Sequence, residues 1–226
     1  MSRRRRRKED IRHRVANPFD EYDHCRVVGC GQRTMASRRR GLNRLYCKRH
    51  TDHYRRHGSY VNRSYGAGDL RPYRVRALRW LKAHRDDHAV QLAANAVLRL
   101  YRSAGAHVEA FRLTGKPPQE RARATWAQLR QRRVDPLEVL AIWLAVDARL
   151  RDDPQADRHD EYRLVQVAKL VHRAAGGAHK RWEQERSDGR VKVVELHVHP
   201  ASRGRVLRVI GLAVAKACEG LVATGA

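Results

Sequence analysis

Hydrophobic positions recur at helical spacing through most of the chain between residues 72 and 186. In the first of these runs Val75, Leu78 and Leu81 fall on one face and arginines fill the other, which is typical of an amphipathic helix. The most apolar run begins after Asp135, a favourable N-cap residue that is followed by proline at the first helical position. The pattern therefore predicts a helical domain with this run as its central helix.

The pattern changes towards the C-terminus. Residues 162–186 contain two helical runs split by Ala-Gly-Gly, an arrangement similar to a helix-turn-helix with residues 179–181 in its second half. Residues 190–200 are rich in β-branched residues and partly alternate with polar ones, which predicts a strand. Because one strand is not stable alone, we expect it to pair with another short strand or across a dimer. A last helix follows, and its predicted apolar face consists of Val206, Leu207, Ile210 and Val214.

The polar segments divide the chain into four parts. Residues 1–21 form an arginine-rich arm with a short lead-in, and its five consecutive arginines are expected to be disordered in the free protein. Residues 22–60 contain three of the four cysteines and form a small cysteine- and histidine-rich module. Residues 61–72 are rich in glycine, asparagine and serine, as in a linker, and residues 73–226 make up the helical domain.

The charge of the chain is strongly unbalanced, with 49 Lys and Arg against 24 Asp and Glu and a net charge of +25. Residues 1–66 carry 19 of the basic residues and 6 of the acidic ones, so the excess is densest in the first third. Such an excess repels itself in a compact chain unless a polyanion neutralises it, and each neutralised phosphate of a nucleic acid releases a condensed counterion. The composition therefore favours nucleic acid as the partner over a merely soluble, arginine-rich protein.

Three of the cysteines and one histidine form two close pairs of possible metal ligands, Cys25 with Cys30 and Cys47 with His50. Cys25 and Cys30 flank Gly29, which allows the tight turn that brings two sulfurs to one point. Cys47 and His50 are three residues apart, so on a helix they project in the same direction. Four such ligands in two close pairs suit tetrahedral zinc. With no signal peptide and no membrane-length apolar run, we expect a reducing cytoplasm, where clustered cysteines indicate metal before disulfides.

The fourth ligand is the least certain of the set, because His24, His53 and His57 also lie near the cysteines. The two-residue spacing after Cys47 favours His50. A knuckle, a hairpin and a helix whose first turn supplies the last two ligands make a treble-clef arrangement. The predicted fold class is therefore mainly α, with a small treble-clef-like zinc module, a helical domain and one short β element near the C-terminus.

The pattern C-x4-C followed by C-x-x-H and "YRRHGS" resembles the small Cys3His zinc modules of phage and bacterial DNA-binding proteins and HNH-type endonucleases. The resemblance covers residues 25–59 and rests on Cys25, Gly29, Cys30, Cys47, His50, Tyr54, Arg56, His57 and Gly58. It implies bound zinc and contact with DNA, and a regulator or accessory factor of a phage, plasmid or transposon fits it. We therefore favour duplex DNA over RNA as the partner and expect a bacterial, cytoplasmic, nucleoid-associated protein. The insert between the two ligand pairs is longer and more basic than in these modules.

Clustered cations in three places are the candidate contacts to nucleic acid. They lie in the N-terminal arm, at the tip of the expected hairpin and on the helix after Cys47. The arm would suit a minor groove or a line of phosphates, whereas the helix would either enter a major groove or lie across the backbone. The candidates are Arg3, Arg4, Arg5, Arg6, Arg7, Arg38, Arg39, Arg40, Lys48, Arg49, Arg55 and Arg56.

Two alternatives to a non-enzymatic DNA-binding protein stay open. The first is an RNA-binding component of a ribonucleoprotein, because basic arms and zinc modules are equally frequent there. The second is an HNH-like nuclease, for which His197 and His199 alternate on the predicted strand. No asparagine and second histidine follow them at a suitable distance, so we expect no enzyme. The helical domain could form a homodimer or bind a protein partner, and the sequence does not choose between them.

Overall fold

The structure is a computed structural model that describes residues 8–9, 12, 16, 24–34, 43, 45–176, 178–185, 187–197 and 204–221. The chain divides into two compact units, the first ending at Arg63 and the second beginning at Ser64. The predicted fold class is confirmed, since the described residues are mainly helical with one two-stranded sheet. The helices are α1 Lys48–His57, α2 Ala67–Ala83, α3 His88–Ser103, α4 Pro118–Gln131, α5 Pro136–Asp152, α6 Asp160–Ala175 and α7 Arg205–Ala217. A short 3-10 helix spans Ala110–Leu113 and the strands are β1 Ala178–Glu185 and β2 Val191–His197.

Helix α5 is the centre of the second unit. The Asp135 side chain accepts a hydrogen bond from the backbone N–H of Leu137 at 2.9 Å, which caps the helix, and Pro136 occupies the first helical position. Ten of its 17 residues are buried. It packs against α2, α3 and α6. The prediction of a central apolar helix that starts at Asp135 is therefore confirmed.

Helix α2 begins earlier, and buries a different face, than the sequence pattern predicts. Residues 67–72, expected in the linker, form its first turns, and the Asp69 carboxylate accepts a hydrogen bond from the N–H of Gly66 at 2.8 Å. Leu70 is buried in the core while Val75, predicted to face it, is 52% exposed. The added turn places Leu70 in the core, and with Leu70 buried the core-facing side of the helix excludes Val75. The buried stripe is therefore Leu70, Ala77 and Leu81.

The predicted strand near the C-terminus is confirmed, and its partner is a segment that the sequence pattern assigns to a helix. Strand β1 pairs antiparallel with β2, with Trp182 opposite Val194. The suggested similarity of residues 162–186 to a helix-turn-helix is therefore wrong, since Ala178–Glu185 is a strand. Gly176 has extended dihedral angles and ends α6, and pairing with the valine-rich β2 then overrides the helix propensity of residues 178–185. The C-terminal apolar face predicted on α7 is buried as expected.

Arginines complete the C-terminal ends of three helices in this unit. The guanidinium groups of Arg130, Arg132 and Arg158 donate hydrogen bonds to backbone carbonyls at or next to the ends of α3, α6 and α5, with N–O distances of 3.0, 3.2 and 2.7 Å. The last carbonyls of a helix lack partners within the helix and carry its negative dipole end. Part of the arginine excess of this unit therefore stabilises the fold.

Helices α6 and α7 approach so closely that a glycine is required between them. A Cβ atom on Gly211 of α7 would lie 2.5 Å from the backbone oxygen of Leu164 in α6. The obstacle is backbone, which cannot rotate away as a side chain would. The close contact of these two helices therefore depends on the missing side chain at this position.

Gly211→Ala is expected to lower the free energy of unfolding by about 1–3 kcal/mol, because α7 must move away from α6 to accept the methyl group. The measurement is urea unfolding of the zinc-loaded chain followed by far-UV circular dichroism. Gly68→Ala in α2 is the matched control, since its added Cβ would meet no atom within 4 Å. Equal stability of the two variants would show that α6 and α7 do not pack at this distance.

Candidate metal centre

The first two predicted ligands lie in a tight knuckle. The N–H of Cys25 donates to the carbonyl of Gln32 at 2.8 Å and the N–H of Cys30 donates to the carbonyl of Val27 at 3.0 Å. Gly29 has a φ of +75°, in the left-handed region that glycine adopts without strain. The turn expected from the sequence therefore forms, and it brings both sulfurs to the same side.

The other two predicted ligands lie at the beginning of α1. Cys47 is the N-cap residue, with extended dihedral angles, and His50 lies in the first turn. The N–H of Thr51 donates to the Cys47 carbonyl at 3.0 Å, which starts the helix at this residue. The three-residue spacing on a helix thus directs the Cys47 sulfur and the His50 ring to one point.

Asn43 fixes the turn that leads into α1. Its side-chain oxygen accepts hydrogen bonds from the N–H groups of Leu45 and Tyr46, both at 3.1 Å, and its amide donates to the Thr51 hydroxyl at 2.9 Å. Sequence reasoning did not identify this residue. The preference of asparagine for such local turns is the feature that could have drawn attention to it.

All four predicted ligands come together. The Nδ1 atom of His50 lies 3.3 Å, 3.4 Å and 3.3 Å from the sulfurs of Cys25, Cys30 and Cys47. The sulfurs of Cys30 and Cys47 are 3.8 Å apart, and all four ligand atoms lie within 4.8 Å of one another. Tetrahedral zinc bonds of about 2.3 Å to sulfur and about 2.0 Å to nitrogen give separations of about 3.8 Å and 3.5 Å. The group is therefore of the size that a tetrahedral metal ion requires.

The three thiols influence one another's ionisation. Burial opposes ionisation of Cys25, but hydrogen bonds from the backbone of Cys47 and Val27 and from the thiols of Cys30 and Cys47 together outweigh it and lower the pKa of the Cys25 thiol. At Cys30 a backbone hydrogen bond from Gln32 favours the thiolate. Burial and the neighbouring sulfurs outweigh that bond and raise the pKa of the Cys30 thiol. Neighbouring thiolates repel one another, so a cation is needed to hold all three in the charged form.

The imidazole of His50 is set up as a neutral ligand. Burial lowers its pKa, and the positive charge of Arg49 and the ring of His53 lower the pKa further. A histidine must be unprotonated to bind a metal, so this environment favours the ligating form. Nδ1 is the nitrogen that faces the three sulfurs.

The three competing histidines lie outside the cluster. The Nδ1 atom of His53 is 2.9 Å from the Ser59 carbonyl, to which it donates, and the ring of His57 lies against that of His53 at 4.4 Å. His24 is exposed and forms an isolated β-bridge with Arg33. Among the described residues His50 is thus the histidine that shares a metal-sized group with the cysteines.

Apart from the ligands, the described residues of the module bury little apolar material. Tyr60 stacks between two other tyrosines, with ring centroids 3.5 Å from Tyr46 and 4.4 Å from Tyr54. Thr34 and Ser59 are buried as well. So small an interior provides little hydrophobic stabilisation, and a metal ion would supply folding free energy directly.

The structure describes only some of the predicted nucleic-acid contacts. Lys48, Arg49, Arg55 and Arg56 are exposed on α1. The candidates Arg3–Arg7 and Arg38–Arg40 lie outside the described residues, as does His199 of the nuclease alternative. No helix within the described ranges combines the length and the apolar character needed to cross a bilayer.

Comparisons with protein families, with curated proteins and with solved structures find no match to this chain.

His50→Ala is expected to weaken zinc binding by more than about 100-fold, because it removes a direct ligand of a closed four-ligand site. His53→Ala, which removes an imidazole that faces Ser59 instead, is expected to stay within a few-fold of the unmodified chain. Competition with a chromogenic chelator measures both affinities. Equal losses in the two variants would exclude His50 as the specific fourth ligand.

Cys30→Ser tests whether the two units fold separately. We expect residues 22–60 to lose their structure while the helical unit keeps its circular dichroism, because the α2–α7 core contains none of the ligands. Cys218→Ser is not a suitable control, because Cys218 is buried in that core. Loss of all helical signal in the Cys30→Ser variant would contradict the separation of the units.

Proposed function

We propose that the protein is a zinc-dependent, non-enzymatic DNA-binding protein. We further propose that it serves as a regulator or accessory factor of a phage, plasmid or transposon. The observation that carries the proposal is the exposed basic face of α1, which lies on the side of the helix away from the ligand His50.

The basic face consists of Lys48, Arg49, Arg55 and Arg56, and these four are the exposed residues of α1. Successive residues of a helix are rotated by about 100°, so these four fall within an arc of about 120°. His50 and Tyr54 fall on the opposite side, where they contact the ligand cluster and the tyrosine stack. The zinc-binding side of α1 thus fixes which way the basic face is turned.

The charges at the beginning of α1 favour an anionic partner. The first turn carries Lys48 and Arg49 and no acidic residue. The beginning of a helix is its positive dipole end, so cations there are unfavourable unless an anion binds nearby. A nucleic-acid phosphate would relieve this repulsion and release counterions at the same time.

The helical unit uses many of its arginines in a different way. Besides the three that cap helix ends, Arg74 pairs with Glu138 at 3.1 Å and Arg163 pairs with Asp147 at 3.3 Å. Cations engaged in this way contribute less to binding a polyanion. On α1, Arg55 also pairs with a carboxylate, that of Asp52, so the contrast applies to Lys48, Arg49 and Arg56 and supports them as the main phosphate contacts among the described residues.

The ligand set supports a structural rather than a catalytic role for zinc. Three thiolates and an imidazole suit zinc better than the harder divalent cations, which prefer oxygen ligands. Four protein ligands fill a tetrahedral coordination sphere and leave no position for a reactive water. Zinc would therefore serve to hold the knuckle against α1 and to keep the basic face in place.

The test is binding of a mixed-sequence DNA duplex as a function of salt, measured by fluorescence anisotropy. We expect affinity to fall steeply with salt, and the double variant Arg49→Gln, Arg56→Gln to lower the slope of log K against log salt by about 2. The matched control is Arg79→Gln, Arg99→Gln, which removes two exposed cations from α2 and α3.

A flat salt response would refute the proposal of phosphate contacts. Equal slopes of log K against log salt in the two double variants would show that the phosphate contacts do not lie on α1. Competition with structured RNA at fixed salt tests the alternative partner, and tighter binding of RNA would contradict the proposal for DNA.

A further inference from the structure

The basic face of α1 contains one carboxylate. Asp52 is the acidic residue of this helix, and its Oδ1 atom lies 3.0 Å from Nη1 of Arg55. Both side chains reach solvent, with 37% of Asp52 and 63% of Arg55 exposed. A carboxylate is unexpected on a surface that binds only phosphates. Its position on the helix therefore bears on how α1 could contact a duplex.

Asp52 lies at the middle of the basic arc. With about 100° per residue, Lys48 and Arg55 fall on one side of it and Arg49 and Arg56 on the other. His50 is two residues away, which places it on nearly the opposite side of the helix. Asp52 is thus the residue turned most directly away from the ligand cluster, and cations flank it on both sides.

This arrangement distinguishes the two ways in which α1 could contact a duplex. If the helix lay across the phosphate backbone, the carboxylate at the centre of the contact would repel the phosphates. If the helix entered the major groove, the centre of the arc would face base edges while the flanking cations would approach the phosphates on either side. The ten residues of α1 make a helix about 15 Å long, and the major groove is about 12 Å wide and admits one helix.

The pair also gives Arg55 a defined orientation. An exposed arginine is flexible, and a hydrogen-bonded ion pair to a neighbour one turn away restricts the direction of its guanidinium plane. An oriented guanidinium is the group that recognises O6 and N7 of guanine with two parallel hydrogen bonds. A carboxylate beside it can accept from the exocyclic amine of cytosine, which phosphates cannot offer.

We infer that α1 binds in the major groove of duplex DNA, where Arg55 recognises a guanine and Asp52 is the residue that positions it. This inference rests on the proposed function and adds to it a preferred base and a specificity-determining pair. It requires that the two side chains act together, so the loss of either one reduces the preference for that guanine.

The experiment begins with selection from a randomised duplex pool by the zinc-loaded full chain. The enriched duplex and a scrambled one are then titrated at fixed salt with the unmodified chain, Asp52→Asn, Arg55→Lys and the control Glu219→Gln. The control changes the net charge as Asp52→Asn does, at an exposed position of the helical unit. Zinc content is measured for every variant, so that loss of the module is not mistaken for loss of a base contact.

We expect the unmodified chain to enrich a guanine at a fixed position. Arg55→Lys keeps the affinity for scrambled DNA but lowers the ratio of enriched to scrambled affinity by about tenfold, because lysine cannot make the paired contact. Asp52→Asn lowers the same ratio while it tightens binding of scrambled DNA, since one repulsive charge is lost. Glu219→Gln leaves the ratio unchanged.

Several outcomes would overturn the inference. If Asp52→Asn tightens both duplexes equally, or if the ratio survives Arg55→Lys, the face contacts phosphate without reading bases and the proposed function still stands. The same conclusion follows if the selected duplexes share no guanine whose contribution to affinity is lost in Arg55→Lys. If the unmodified chain binds neither duplex, the proposed function fails together with the inference.

Discussion

The mutual repulsion of three clustered sulfurs, and its reversal by a cation, is the constraint on which the first unit depends. The sulfurs of Cys25, Cys30 and Cys47 lie 3.3–3.4 Å from Nδ1 of His50, and the sulfurs of Cys30 and Cys47 are 3.8 Å apart. Without a cation, ionisation of one thiol opposes ionisation of the next. A bound cation is attracted by the same three negative charges, and it would join the knuckle to α1 at a single point. Among the described residues of the unit little else could hold them, because those residues contribute stacked tyrosines and small buried polar side chains.

The arginines of the two units have different surroundings. In the helical unit, arginines bind the carbonyl ends of helices and pair with carboxylates, and so they act on stability. On α1 the cations stand together on an exposed face that contains a single carboxylate. Net charge alone does not distinguish these uses, since both raise the isoelectric point equally. The positions of the groups, and not their number, indicate where a polyanion would bind.

The sequence predicts those parts of the structure that depend on local rules. Helix α5 was predictable because Asp135 and a following proline mark its beginning and an apolar run follows. The ligand set was predictable because its spacings suit a tight turn and one turn of helix. Strand β1 was not, because its own residues favour a helix and the extended form depends on pairing with β2, which begins at Val191. The beginning of α2 was missed for a similar reason: residues 67–69 resemble a linker, and the burial of Leu70 depends on the rest of the core.

The most direct test of the account is X-ray absorption spectroscopy at the zinc edge on protein purified without added chelator. The account predicts one zinc per chain with three sulfur neighbours at about 2.3 Å and one nitrogen neighbour at about 2.0 Å. Absence of stoichiometric zinc, or a first shell composed mainly of oxygen and nitrogen, would contradict it. In that case Cys25, Cys30, Cys47 and His50 would not be what holds the basic face of α1 in place.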